Sequence, residues 1–206
     1  MQIGMRVSGA NELRFVASAI RRYPEASGRA GTLAANDVAR DIQTEASRDL
    51  ARRYNLPASY IREQFRMREA QGNNGIAVVS VRRRDMRLAR FGANQMTTAA
   101  KRAKGDASRR IAAGRKQAGV SVKVLRAGAR KTIKSAFFMP LRAGKEAGGN
   151  GFGVFERVGK DIEHLYGPSP YQVFNAWVKE RRPNLQQALV KAWRARLASE
   201  IRRGGR

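Results

Sequence analysis

Gly151-Phe152-Gly153-Val154-Phe155-Glu156-Arg157-Val158-Gly159-Lys160-Asp161-Ile162-Glu163-His164-Leu165-Tyr166-Gly167-Pro168-Ser169-Pro170 is the stretch on which the fold turns. Its first half is β-prone and bounded by glycine, so it reads as a strand. Gly159-Lys160-Asp161 reads as a turn, because Gly accepts a positive φ and Asp can bond its own backbone. Residues 162–166 read as the returning strand. Gly167-Pro168-Ser169-Pro170 stops it, since proline cannot donate to a ladder. A long helical region follows.

Working outward, Ile3, Met5 and Val7 alternate and suggest a short strand. Asn11 can cap a helix with Leu13, Val16, Ala17 and Ile20 on one face. Pro24 marks a break. Gly28 and Gly31 weaken the next start, but from Thr32 the pattern is firm. Ala35, Val38, Ala39, Ile42, Ala46 and Leu50 form an apolar stripe at helical spacing, predicting a long helix to about Tyr54. A short helix is expected after Pro57. Residues 65–70 and 76–81 flank Gln71-Gly72-Asn73-Asn74-Gly75, a hairpin signal. Residues 87–91, 120–125 and 133–139 read as further strands, and residues 142–150 as a Gly-rich loop. After Pro170 the sequence predicts a short helix through Trp177 and Val178. A longer one is expected from Pro183, with Leu185, Leu189, Trp193, Leu197 and Ile201 at steps of four. The sum is an α+β fold, with a mostly antiparallel sheet packed by the long helix of the N-terminal half and with C-terminal helices. One domain over residues 1–206 is expected, with a basic flexible insertion at about 92–118. There the apolar periodicity fades into Ala, Gly, Lys and Arg, a composition that buries little surface.

Charge is the outlier. Lys and Arg number 42 against 16 acids, for a net charge of +26 over 206 residues. Such an excess repels itself and is matched by a polyanion, with nucleic acid the default candidate. Residues 82–134 hold 17 Lys and Arg against two Asp. The candidate nucleic-acid-binding residues are Arg82, Arg83, Arg84, Arg87, Arg90, Lys101, Arg102, Lys104, Arg109, Arg110, Arg115 and Lys116. Phe91 is the sole aromatic before Phe137 in this segment, so stacking on exposed bases is poorly provided for and contact with the DNA backbone is favoured. The bland alternative is a solubilising charged loop. Residues Asp37, Asp41, Glu45 and Asp49 form an acidic ridge at steps of four. It reads either as a solvated face with local ion pairs or as a subunit interface for a basic neighbour.

Catalytic and metal chemistry find little footing. There is no cysteine and a single histidine, so thiolate and multi-histidine metal sites are excluded within one chain. His164 has no Ser-His-Asp pattern around it and reads as a structural or surface histidine. The glycines from 144 to 153 lack the Lys-Ser/Thr ending of a phosphate-binding loop. No cofactor is expected. The N-terminus lacks a signal-peptide core, and no apolar run approaches the ~20 residues of a membrane helix, which predicts a chain made in the cytoplasm.

Phe155-x-Arg157-x-Gly159-Lys160 and Leu165-Tyr166-Gly167-Pro168-Ser169-Pro170 with Phe174 resemble the C-terminal part of phage tail-completion proteins, most of all the minor tail protein Z family of lambda-like phages. Tyr23-Pro24, the alanine-rich residues 34–39 and the basic residues 60–70 continue the resemblance; residues 92–118 carry none of it. The resemblance implies a non-enzymatic virion protein at the head-proximal end of a long tail, needed for head-tail joining. It implies a homo-oligomeric ring, with the tail tube, tail terminator, head-tail connector and the end of the tape-measure protein as neighbours. The genome passes through that channel, which supplies the DNA a +26 chain would hold. The competing reading is a non-specific nucleic-acid-binding protein of architectural or ribosomal type. A nuclease has little support, because no acidic cluster of metal-binding spacing stands out.

Overall fold

Helix α1, Ala10–Arg22, ends where Pro24 opens α2, Pro24–Arg53. The computed structural model describes residues 10–72, 75–141 and 151–204, with side chains from residue 14. The strand expected at residues 2–7 and the loop at 142–150 lie outside the described residues. The rest follows in the order α3 (Ala58–Glu63), β1 (Phe65–Arg68), β2 (Val78–Val81), β3 (Asn94–Ala99), β4 (Arg115–Val122), β5 (Lys131–Ile133), β6 (Ala136–Pro140), β7 (Phe152–Val158), β8 (Asp161–His164) and α4 (Pro170–Gly204). The class is α+β, and every strand pairing is antiparallel. Among the described residues the strands form three small sheets, ordered β1-β2, β3-β4-β5 and β6-β7-β8, where the sequence suggested one.

The residues divide into two compact units, each assembled from separate stretches. The first comprises the described residues up to Arg48, Arg62–Arg82 and those from Phe174 on. Its core is the small-residue stripe of α2, with Ala30, Ala34, Ala35, Val38, Ala39, Ile42 and Ala46 all buried. Alanine at these positions keeps helix propensity high and lets neighbours approach closely. Trp193 of α4 fills the groove so made. Its Nε1 donates to the Ser27 carbonyl at 3.3 Å, and its ring meets Phe15 edge-on at 6.3 Å. Buried Asn36 bonds Ala70 twice: Nδ2 donates to the carbonyl at 3.2 Å, and Oδ1 accepts from the N–H at 2.7 Å. That pairing satisfies backbone groups just beyond the end of β1.

The second unit comprises Asp49–Ile61 and Arg83–Val173 and holds both three-stranded sheets. Two glutamines join them. Gln95 Oε1 accepts from the Phe138 N–H at 2.9 Å, and Gln117 Nε2 donates to the Ala136 carbonyl at 3.3 Å. The open edge of β6 is thereby covered by side chains, one of the ways proteins blunt an exposed edge. Phe91, Val120, Phe138 and Val154 are fully buried here. At the predicted corner the Gly167 N–H bonds the Met86 carbonyl at 2.8 Å, and a Cβ there would lie 2.5 Å from the Phe91 ring. Ser169 then caps α4: its Oγ accepts from the Gln172 N–H at 3.2 Å, while Gln172 Oε1 accepts from the Ser169 N–H at 3.0 Å. This is a capping box, with Pro170 at the first helical position.

Several expectations are corrected. Residues 92–118 are not irregular, since β3 and β4 pair across them with a bulge between Gln95 and Thr97. Their stabilisation comes from tertiary hydrogen bonds rather than from an apolar face. Residues 87–91 form a 3-10 turn, Leu88–Arg90, with Arg87 bridging to Tyr166, instead of a strand. Residues 133–139 are split between β5 and β6. Pro183 does not separate two helices; α4 runs through it. Residues 179–184 are all exposed, so the carbonyl that proline deprives of its donor is open to water.

Candidate nucleic-acid and assembly surfaces

The twelve basic candidates fall into groups with different surroundings. Arg82 belongs to the first unit; the others belong to the second. Arg82, Arg83 and Arg84 are exposed where the chain leaves β2, and Arg83 lies over the Tyr171 ring at 5.0 Å. Arg87 is half-buried. Arg90 stacks on Tyr60 at 4.2 Å.

The tip of the β3–β4 hairpin is built around Asp106. This carboxylate caps the 3-10 turn Ala107–Arg109, accepting from the Ser108 hydroxyl at 2.6 Å and the Arg109 N–H at 3.2 Å. The Ser108 hydrogen bond is the main reason that its pKa lies below the usual carboxylate range. Arg109 also pairs with Asp106 at 3.3 Å and lies over Phe137 at 5.2 Å. Arg110, held at φ +60°, lies over Phe152 at 4.5 Å. On β4, Arg115 donates to Thr97 Oγ1 at 2.6 Å and to the Thr97 carbonyl at 2.9 Å. These three arginines therefore hold the hairpin together and fasten its tip to the β6–β7 aromatics. Lys101, Arg102, Lys104 and Lys116 differ: all are exposed, and no described acidic side chain pairs with them.

The acidic ridge is also divided. Asp37 is engaged within the chain, its Oδ2 accepting from Arg196 at 2.7 Å and its Oδ1 lying 3.4 Å from Arg40. Arg40 in turn reaches Glu69 at 2.9 Å. Asp49 is half-buried, whereas Asp41 and Glu45 point into solvent.

His164 is a structural ring. It stacks between Phe155 and Tyr166, both with centroids 4.4 Å away. Its Nε2 is buried with no hydrogen-bond partner among the described residues. Burial, and secondarily the nearby Arg87 charge, push its pKa down. Gly153 makes the space, because a Cβ there would lie 2.4 Å from Phe155 and 2.9 Å from His164 Nε2. The glycine run before it leads into β7 rather than a helix, so the context of a phosphate-binding loop is missing.

Among the described residues no group of three or more His, Asp or Glu could hold a metal ion. No helix among them is long and apolar enough to cross a membrane. Sequence reasoning missed Gln95, Gln117 and the Ser169–Gln172 box. Only the last had a local signal, the Ser-x-x-Gln spacing.

The family model for prophage minor tail protein Z (GPZ) matches residues 19–204. The chain belongs to this family and is thus a phage minor tail protein, a structural class of virion component. No curated protein and no solved structure matches it.

Proposed function

We propose that the protein acts at the head-proximal end of the tail, where it makes the tail competent to join the head. It works there as a homo-oligomeric ring without enzymatic activity, beside the tail tube, terminator and head-tail connector and the end of the tape-measure protein. The observation that carries the reading is family membership over residues 19–204 combined with exposed Lys101, Arg102, Lys104 and Lys116, with which no acid among the described residues pairs. Those four offer phosphates a basic surface while Arg109, Arg110 and Arg115 hold the hairpin in shape; Arg82, Arg83 and Arg84 offer further phosphate contacts where the chain leaves β2. Asp41 and Glu45 face the arginines of a neighbouring copy, where a +26 chain has most need of acids.

The test is deletion of the gene from its phage. Heads and tails should accumulate separately and combine only when the protein is supplied. Normal joining in its absence, or complementation by an unfolded chain retaining only His164, would overturn the reading.

A further inference from the structure

Phe91 to Ala100 is a run of ten residues without a charge in a chain with 28 % charged residues. Most of it is β3, which lies at the edge of its sheet with Asn94, Met96, Thr98 and Ala99 exposed. Edge strands are normally blunted by lysine, proline or a covering side chain, as β6 is by its two glutamines. The end of β3 beyond its bulge carries no lysine or proline, and the one side chain among the described residues that reaches it, Arg115, occupies only Thr97. The Ala100 N–H reaches Gly114 across the hairpin, so alternation turns the backbone groups of Thr97 and Ala99 outward. The Thr97 carbonyl accepts from Arg115; its N–H and both Ala99 groups have no partner among the described residues.

We propose that this edge receives strand β8 of a second copy of the chain. β8 is also an edge strand. The Leu165 N–H bonds the Val154 carbonyl, so by alternation the backbone groups of Ile162 and His164 face outward, two residues apart like those of Thr97 and Ala99. Charge selects the pair. β3 ends beside Lys101 and Arg102, and its last two residues, Thr98 and Ala99, are paired with Lys116 and Arg115. β3 against β3 would bring these clusters together. β5 carries Lys131, and β1 carries Arg66 and Arg68. β8 alone among the described edge strands bears acids and no Lys or Arg, with Asp161 and Glu163 on one face. Exposed Ile162, at 44 %, and Met96, at 41 %, supply apolar surface to cover. Joining two different edges is a head-to-tail contact, which closes into a ring when the rotation between copies divides a full turn. The inference rests on the ring assembly proposed above and names the surface that builds it.

Sedimentation of the native full chain and two variants tests it. Ala99→Pro removes an outward N–H and leaves the β3–β4 hydrogen bonds in place. Asp161→Lys with Glu163→Lys reverses the β8 face. Each variant should keep the native helix signal and associate about tenfold or more weakly, as expected when one junction of a few hydrogen bonds is broken. Mixed together, they should form dimers and nothing larger, because the intact β8 of one meets the intact β3 of the other. Native association in both folded variants would overturn the edge contact and leave the ring standing. A native chain that stays monomeric at all concentrations would overturn the ring and the contact with it. If Ala99→Pro misfolds, the charge-reversed variant alone decides.

Discussion

Gly153 shows how one missing side chain sets a local structure. It lets His164 pack between Phe155 and Tyr166 with its Nε2 buried. Gly153→Ala forces that stack apart and should destabilise the fold by about 1–3 kcal/mol, read by chemical denaturation. The histidine itself predicts a pH dependence. Its folded pKa is depressed, so below about pH 6.5 the unfolded chain takes up a proton that the folded chain resists. Stability is therefore full above that pH and falls as the solution is acidified toward the folded pKa. His164→Phe should flatten the fall in melting temperature between about pH 7 and pH 5.5, where carboxylates do not yet titrate. An unchanged slope in the variant would assign the effect elsewhere.

Among the elements, α4 and the β3–β4 hairpin make contrasting demands. Trp193 is 3 % exposed and anchors α4 against α1 and α2, so Trp193→Ala should cost about 3–5 kcal/mol. The ion pair from Arg196 of the same helix to Asp37 of α2 is partly exposed, and its removal should cost under about 1 kcal/mol. On the hairpin, Lys101, Arg102, Lys104 and Lys116 are open while Arg109, Arg110 and Arg115 are structural. Changing the first four to Gln should lower DNA affinity without lowering the melting temperature. The slope of log affinity against log salt should shrink by about 0.9 for each phosphate the protein ceases to neutralise. Changing the three arginines instead should lower the melting temperature. Equal thermal effects in the two sets would contradict the division between them.

For the whole molecule, net charge and connectivity dominate. A folded chain at +26 stores self-repulsion that salt screens. Raising sodium chloride from low to moderate concentration should therefore raise the melting temperature of the monomer while weakening DNA binding. A melting temperature that falls with salt would show that favourable surface pairs outweigh the repulsion. Helices α2 and α4 each run continuously from one compact unit into the other. We expect a single cooperative transition, with calorimetric and van't Hoff enthalpies in agreement; two resolved transitions would make the units independent.

Sequence by itself determined the elements whose cause is local or periodic. The α2 stripe, the β1–β2 hairpin, the β7–turn–β8 unit with Gly159 at φ +61°, and the Gly-Pro-Ser-Pro corner each follow from residue spacing or from a backbone that only certain residues accept. The burial of Phe174, Trp177 and Trp193 follows likewise from their period of helical turns. Tertiary structure alone decided what depends on partners distant in the chain. β3 lacks apolar alternation and exists because Gln95 and Arg115 bond groups 18 to 43 residues away. Asp37 looked like part of an open ridge, yet Arg196, 159 residues on, closes it. Pro183 reads locally as a helix start, but the packing of α4 on both sides outweighs one hydrogen bond given up to water. A side chain's reach across space leaves no mark on its neighbours in sequence, and that is where local reading ends.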